Sequence, residues 1–217
     1  MSVALVTVVS GEAYERYAQD MFHSAFEYFG PDPVVAHIAL PGREGWPDAT
    51  LYRYHVLLEN DIALRGFDYV FMVDADMRFV APCGDEILGR LVATLHPGYV
   101  NSPRQRLPYE DRPGSAAYVN VGVGTRYYAG GFVGGETHHF LEMAFSISCR
   151  IDFDIENGLM PRWHDESVLN KQLAEGGPTV TLSPSYCYPD NDSGYDLAGH
   201  GRILVALDKT PAERGTR

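Results

Sequence analysis

The sequence predicts an α/β protein whose N-terminal part is a βαβαβ unit of the nucleotide-binding type, and three observations support this. Residues 3–9 and 34–40 are apolar runs rich in β-branched residues, which is typical of strands. Between them, apolar residues recur at helical spacing over 14–29. A further apolar run at 69–73 follows a second helical segment, as expected for a strand buried on both faces. This alternation of strands and helices favours a parallel sheet covered by helices.

The ends of the first elements can be predicted from local residue chemistry. Ser10 is expected to cap the first helix through its hydroxyl, and Gly30 with Pro31 is expected to end it. Thr50 is expected to cap a second helix that runs to about Leu64.

Predicted helices and strands alternate again in the second half of the chain. The predicted elements are helices at 85–95, 136–147 and 165–174, a Gly-rich apolar segment at 127–135, and apolar strand-like runs at 179–182 and 203–207. Residues 101–126 carry several prolines, glycines and charges without a sustained period, so we predict a mobile loop there.

Composition limits the class of protein. The chain has 217 residues, 45% hydrophobic and 21% charged, which fits a single soluble globular domain. Its net charge of −12 argues against binding to nucleic acid and against stable insertion into an anionic membrane. The N-terminus has no basic segment and too short an apolar run for a signal peptide or anchor, so we expect a soluble, cytoplasmic protein. The 3 cysteines lack C-x-x-C spacing, which indicates reduced thiols.

Two carboxylates, Asp74 and Asp76, directly follow the predicted strand at 69–73. In open α/β sheets ligands bind beyond the carboxyl ends of the strands, and carboxylate oxygens there suit Mg²⁺ or Mn²⁺ bound to substrate phosphates. The alternative is that both acids only shape a turn. A phosphorylated ligand would also need local positive charge, because the protein as a whole is acidic.

Further short segments follow the paired aspartates in a fixed order. They are FMVDADMRF at 71–79, TLHPG at 94–98, YYAGGFVGG at 127–135, WHDES at 163–167, LNK at 169–171, and PT and LSP between 178 and 184. This ordered set resembles glycosyltransferase family 6, the family of the histo-blood-group A and B transferases and the α-1,3-galactosyltransferases. The resemblance covers about residues 68–187. The intact D-x-D motif resembles the metal-dependent members, and the lack of an anchor resembles the short soluble bacterial or phage members.

The resemblance implies a GT-A type fold, which is a Rossmann-like mixed sheet flanked by helices, in a single catalytic domain over 1–217. Within it we expect a nucleotide-binding half (1–80), an acceptor and catalytic half (81–198) and a basic C-terminal lid (199–217). The implied partners are a UDP-sugar donor and an oligosaccharide acceptor with a terminal galactose. The implied cofactor is Mn²⁺ or Mg²⁺, held by Asp74 and Asp76.

The implied reaction moves N-acetylgalactosamine from UDP-GalNAc in α-1,3 linkage to a galactose-containing acceptor, with or without fucose, and retains the anomeric configuration. Glu166 is the implied catalytic carboxylate beneath the anomeric carbon. Whether it forms a covalent bond or stabilises an ion pair stays open, since retention is compatible with either.

The resemblance also implies the residues that bind the substrates. Glycine at 131 would leave room for the N-acetyl group, whereas a bulkier residue would favour galactose. The implied donor-binding residues are Asp74, Asp76, Arg53, Tyr14, Ala129, Gly130, Gly131, Asp165, Lys209 and Arg214. The implied acceptor-binding residues are His96, Trp163 and Glu166.

Three alternatives remain at this point. The donor could be UDP-galactose. The chain could instead be a metal-dependent phosphoesterase that uses Asp74, Asp76, His164 and Asp165, although it lacks a clear H-x-D cluster elsewhere. It could also be a noncatalytic sugar-binding module, which would not need cationic residues to neutralise a diphosphate.

Overall fold

A computed structural model of the chain describes residues 1–30, 34–191 and 194–209. Its strands are β1 (Ser2–Val9), β2 (Val34–Pro41), β3 (Tyr69–Val73), β4 (Met77–Phe79), β5 (Val92–Leu95), β6 (Tyr128–Glu136), β7 (Val180–Leu182), β8 (Tyr188–Pro189) and β9 (Leu204–Ala206). Its α-helices are α1 (Glu12–Tyr28), α2 (Asp48–Leu51), α3 (Arg53–Glu59), α4 (Asp61–Leu64), α5 (Thr137–Glu156) and α6 (His164–Gly176).

The central sheet has six strands in the order β2-β1-β3-β6-β5-β7. Strands β2, β1 and β3 are parallel to one another, which confirms the predicted βαβαβ unit. Strand β6 runs antiparallel to both β3 and β5, and β7 runs parallel to β5. The sheet is therefore mixed, and the direction changes at the β3–β6 boundary.

Apolar side chains on alternate positions of the strands build a core on each face of this sheet. On β1, Ala4 and Val6 belong to the cluster that includes side chains of α3, α5 and α6. Val3 and Leu5 belong to the cluster that includes α1 and the smaller sheet. Because both faces are covered, the central strands are apolar throughout, as their sequences suggest.

The predicted helix caps are wrong. The residue before α1 is Gly11, with φ 80°, and no side chain caps this end, so Ser10 does not act as the cap. Helix α2 begins at Asp48, which leaves Thr50 inside it. The single helix predicted after Thr50 is divided into α2, α3 and α4, because the backbone leaves the helical conformation at Tyr52 and Asn60.

The helix predicted over 85–95 is also wrong. The chain forms one 3₁₀ turn, Asp85–Ile87, and then enters β5 at Val92. Residues of β5 pair with β6 on one side and β7 on the other. These backbone hydrogen bonds to strands distant in the sequence outweigh the local helical pattern.

Residues 101–126 contain no strand and only one short 3₁₀ turn, Arg104–Arg106, as the composition predicts. The segment is nevertheless well anchored. Leu107, Tyr109 and Val119 pack with Tyr127 in a small apolar cluster. The buried Glu110 accepts hydrogen bonds from the side chain of Arg112 and from the backbone of Arg162. The loop is thereby tied to the chain just before α6.

A second sheet, in the order β4-β9-β8, returns the end of the described chain to the carboxyl end of β3. The backbone N–H of Leu207 donates to the carbonyl of Asp76 at 2.9 Å. Lys209 consequently lies beside the paired aspartates. Among the helices in the described ranges, none is both long and apolar enough to cross a bilayer.

Candidate active site

The paired aspartates stand where the direction of the central sheet changes. Asp74 follows the last residue of β3, and its backbone N–H donates to the carbonyl of Gly131 on β6 at 3.0 Å. Asp76 lies in the turn that leads into β4. Both line one cleft beyond the carboxyl end of β3, as the sequence predicts. The cleft is lined by Val8, Ser10, Tyr14, Gly45, Trp46, Ala49, Thr50, Arg53, Met72, Val73, Asp74, Ala75, Asp76 and Lys209.

Arg53, the first residue of α3, joins two carboxylates from opposite sides of the site. Its Nη1–H donates to Asp74 Oδ1 at 2.6 Å, and its Nε–H donates to Asp165 Oδ2 at 2.5 Å. The arginine is 7% exposed and Asp165 is fully buried, so this pair lies in a medium that screens charge poorly, whereas the Asp74 side chain is 40% exposed. A Cβ on Gly130 would overlap Arg53 Nη2. Glycine at 130 is therefore required for the guanidinium to lie in this place.

Asp165 keeps one oxygen free of this ion pair. Burial raises the pKa of its carboxyl group to about 6, although Arg53 opposes the rise. Its Oδ1 is buried and has no hydrogen-bond partner in the part of the chain that the structure describes. A buried acceptor without a partner is costly, so this oxygen is well suited to accept a hydrogen bond from a ligand.

Glu166 lies next to Asp165 in the first turn of α6, where the helix dipole favours a negative charge. Its Oε2 accepts a hydrogen bond from the backbone N–H of Gly130 at 3.1 Å. Burial raises the pKa of Glu166 to about 7, while the Gly130 N–H and Arg53 oppose that rise. Glu166 is thus a carboxylate that titrates close to neutral pH.

Two further residues were expected, with Glu166, on the acceptor side, and each lies next to a strand or helix of this site. His96 follows β5, its Nδ1 accepts the Gly98 N–H at 3.0 Å, and its ring packs against Tyr127 at 5.9 Å between centroids. Burial lowers the pKa of His96 to about 4, so its imidazole is neutral at pH 7. Trp163 precedes α6 and is 48% exposed, which leaves its indole accessible to a sugar face.

Lys209 brings positive charge to the other end of the cleft. Its Nζ lies 2.6 Å from Asp76 Oδ2 and donates a hydrogen bond to the Tyr14 hydroxyl at 3.0 Å. Burial lowers the pKa of Lys209, but the adjacent Asp76 carboxylate more than offsets this, and the net pKa is raised. Tyr14 and Lys209, two predicted donor-binding residues 195 positions apart in the chain, are thus brought together. Arg214 lies outside the described residues.

The chemistry of the two aspartates fits a hard divalent cation. Asp76 already binds a cationic group, the Lys209 ammonium, and the carboxylate of Asp74 lines the same cleft. Mg²⁺ and related ions commonly take one or two carboxylates and complete their shell with phosphate oxygens and water. Within the described ranges, no three side chains of His, Cys, Asp or Glu form a metal-binding group.

Sequence reasoning missed three side chains at this site. Trp46 lines the cleft, and the edge of its ring contacts His164 at 4.8 Å between centroids. The buried hydroxyl of Tyr127 lies near Glu166 and has no hydrogen-bond partner among the described residues. Cys187 approaches Gly131 from a 3₁₀ turn. Their roles depend on contacts between distant segments, and only the aromatic character of Trp46 in a loop gave a local signal.

Comparison with known proteins agrees with this geometry. The sequence model of glycosyltransferase family 6 matches residues 28–198. Globoside alpha-1,3-N-acetylgalactosaminyltransferase 1 of Homo sapiens is 32% identical over 210 residues, which cover 85% of this chain and 60% of the relative. Its counterpart in Mus musculus is 36% identical over 211 residues, with the same shares. Histo-blood group ABO system transferase 1 of Rattus norvegicus is 38% identical over 169 residues, covering 76% of this chain and 48% of the relative.

This chain thus spans about 60% of the length of the first two relatives. The family model covers well over half of the chain, and its match includes the paired aspartates and the start of α6. The mixed six-stranded sheet flanked by helices is the GT-A type of architecture that the resemblance implied. The chain belongs to glycosyltransferase family 6.

Proposed function

We propose that this protein is a metal-dependent retaining glycosyltransferase that moves N-acetylgalactosamine from UDP-GalNAc, in α-1,3 linkage, to an acceptor with a terminal galactose. One observation carries the proposal most directly. Arg53 binds Asp74 at the end of β3 and Asp165 at the start of α6, so a buried arginine links the cleft of the paired aspartates to the first turn of α6. This arrangement suits a ligand with a diphosphate at one end and a sugar at the other.

At the diphosphate end, Asp74 and Asp76 would hold Mn²⁺ or Mg²⁺. When bound, the ion supplies Lewis-acid stabilisation of the negative charge on the departing UDP. Lys209 lies within reach of the same phosphates and adds a local positive charge to a protein whose net charge is −12. Tyr14 lines the cleft beside Lys209 and offers an aromatic face to the nucleotide.

At the sugar end, Asp165 and Glu166 have different tasks. The free Oδ1 of Asp165 would accept a hydrogen bond from a hydroxyl of the donor sugar and so fix its orientation. Glu166 in its anionic form would stabilise positive charge on the anomeric carbon as the bond to the diphosphate oxygen breaks. That bond leaves its electron pair on the diphosphate oxygen of UDP, the acceptor hydroxyl oxygen bonds to the same carbon with retention, and the proton of that hydroxyl passes to the departing diphosphate. Retention is compatible with a covalent intermediate and with an ion pair, and both mechanisms need this carboxylate on the face of the sugar opposite the leaving group.

Two observations favour N-acetylgalactosamine as the transferred sugar. Gly131 lacks a side chain next to Asp74, and a Cβ there would lie 3.5 Å from Asp74 Oδ2. By the resemblance to the family, the absence of a side chain at this position leaves room for the N-acetyl group on the second carbon of the sugar. Two of the relatives above are named as N-acetylgalactosaminyltransferases. UDP-galactose is the alternative donor.

A binding experiment and a turnover experiment together test this function. Titration calorimetry with UDP should give strong binding with Mn²⁺ and little binding in chelator. A panel of UDP-sugars should then show transfer to lactose or fucosylated lactose, fastest with UDP-GalNAc. Equal affinity for UDP with Mn²⁺ and in chelator would contradict the proposal. Binding of the acceptor sugar without any transfer would instead favour a noncatalytic sugar-binding module.

A further inference from the structure

The space beside Gly131 has a second boundary that the donor argument does not use. An ideal Cβ built on Gly131 would lie 3.3 Å from Cys187 Sγ and 3.6 Å from Met77 Sδ, in addition to its approach to Asp74. Cys187 is the last residue of the 3₁₀ turn Pro184–Cys187, which directly precedes β8. Of the three atoms nearest to that Cβ, the cysteine sulfur is the closest. It therefore limits how much room the glycine provides.

Cys187 packs against apolar side chains of the core. It is partly buried and lies against the apolar cluster that includes Met77, Phe132 and Tyr186. A cysteine in such surroundings behaves as a small, polarizable apolar side chain. Cys187 is thus a compact apolar residue beside the charged groups of the site.

We propose that Cys187 is a specificity-determining residue, which together with Gly131 sets the room for the substituent on the second carbon of the donor sugar. This inference rests on the proposed glycosyltransferase function. The small thiol would admit an acetamido group and contact its methyl carbon. A longer aliphatic side chain at 187 would fill the space and leave room only for a hydroxyl, since packed sites tolerate added methylene groups poorly.

The first experiment changes the size of the residue at 187. Transfer from UDP-GalNAc and from UDP-galactose to one acceptor is measured for the wild type and for Cys187→Leu. We expect the ratio of kcat/KM for UDP-GalNAc to that for UDP-galactose to fall at least about tenfold, the usual range for a change of one or more methylene groups in a pocket. Cys149→Leu, at an exposed position on α5, is the matched control and should leave the ratio unchanged.

The second experiment remains informative even if leucine at 187 disrupts folding. Gly131→Ala alone should lower the same ratio, because the new Cβ intrudes on the donor. Adding Cys187→Ala removes the sulfur that stands 3.3 Å from that Cβ and should restore at least part of the ratio. If the double variant keeps the ratio of Gly131→Ala, so that Cys187→Ala restores nothing, the inference is overturned.

These outcomes are distinct from a failure of the proposed function. If the wild type transfers no sugar from any UDP donor, the glycosyltransferase proposal itself is contradicted. The wild type could instead transfer sugar while Cys187→Leu keeps the wild-type ratio of the two donors. If calorimetry shows that this variant is folded and still binds UDP with Mn²⁺, only the assignment of Cys187 is contradicted.

Discussion

The two ends of the site handle negative charge in different ways. At the end that we propose binds the diphosphate, Asp74 and Asp76 each contact a cationic side chain, Arg53 and Lys209 respectively. At the end that we propose binds the sugar, Glu166 contacts a backbone N–H, and burial raises its pKa to about 7. The carboxylates of the first end are thus paired with cationic side chains, whereas the carboxylate of the second end has a backbone N–H as its hydrogen-bond donor.

This difference follows from the fold. The aspartates extend from a parallel strand toward residues of α3 and of the chain end, which supply the cations. Glu166 lies in the first turn of α6 against the backbone of β6, where glycine at 130 exposes an N–H. Changes at the diphosphate end should therefore affect metal and nucleotide binding, whereas changes at the sugar end should affect turnover.

Asp76→Asn should have the largest effect. The change removes one of two metal-binding carboxylates and the partner of Lys209, so we expect metal-dependent transfer to fall about a thousandfold or more, since a bound metal supplies several kcal/mol of charge stabilisation. Calorimetry with UDP and Mn²⁺ should show the loss of binding directly. Asp20→Asn, at an exposed position on α1, is the control. Full activity of Asp76→Asn in the presence of chelator would contradict the metal assignment.

Glu166→Gln should act mainly on turnover. The amide keeps the shape but not the charge, so kcat should fall about a hundredfold to a thousandfold, the range seen when one group that stabilises transition-state charge is removed. Affinity for UDP in the presence of Mn²⁺ should stay near that of the wild type. A rate close to the wild-type rate would remove Glu166 from the mechanism.

The pH dependence of transfer, compared with that of UDP binding, should distinguish the roles of the two ends of the site without mutation. A raised pKa means that the Glu166 carboxyl group becomes protonated, and loses its charge, as the pH falls through about 7. We expect kcat/KM for transfer to decline by about tenfold per unit of pH below that value, as for one essential base. Binding of UDP with Mn²⁺ should change less between pH 7 and pH 6. A flat rate profile from pH 8 to pH 5.5 would contradict a role for the anion.

The adjacent glycines should respond differently to the same change. Gly130→Ala places a methyl group on the Arg53 guanidinium, so it should lower activity with every donor and lower the melting temperature. Gly131→Ala meets atoms only at 3.3 Å or beyond and should mainly shift the donor preference toward UDP-galactose. Equal loss with both donors in Gly131→Ala would contradict the donor assignment.

Lys209→Met should have the smallest effect of the five. The change keeps much of the aliphatic length and removes the charge, so UDP should bind about tenfold more weakly with Mn²⁺, as expected for the loss of one charge-assisted contact. The kcat at saturating donor should change less. Unaltered UDP affinity in calorimetry would show that Lys209 does not contact the diphosphate.

Much of the fold could be predicted from the sequence because the N-terminal elements are defined by local patterns. Strands β1, β2 and β3 and helix α1 lie close to their predicted bounds. Strand β5 was not predictable, because its state depends on pairing with β6 and β7, which lie far away in the sequence. The predictions of the helix caps failed for a related reason. A polar residue near the start of a helix caps that helix only when the backbone turns at that residue.

Prediction of the site shows the same limit. The short motifs point to Asp74, Asp76, Asp165 and Glu166, and the structure brings these acids to one cleft and its adjoining wall. No pattern in the sequence indicates that Arg53 joins two of them. Nor does any pattern indicate that Cys187 lies against Gly131, because that contact exists only after β6 and the 3₁₀ turn have packed together.

The most direct test of the account is the stereochemistry of the product and its dependence on metal. The wild-type protein is incubated with UDP-GalNAc and fucosylated lactose, with Mn²⁺ or with chelator, and the anomeric proton of the new linkage is observed by NMR. The account predicts an α-1,3-linked product that forms with Mn²⁺ and does not form in chelator. A β-linked product, or equal transfer under both conditions, would contradict it.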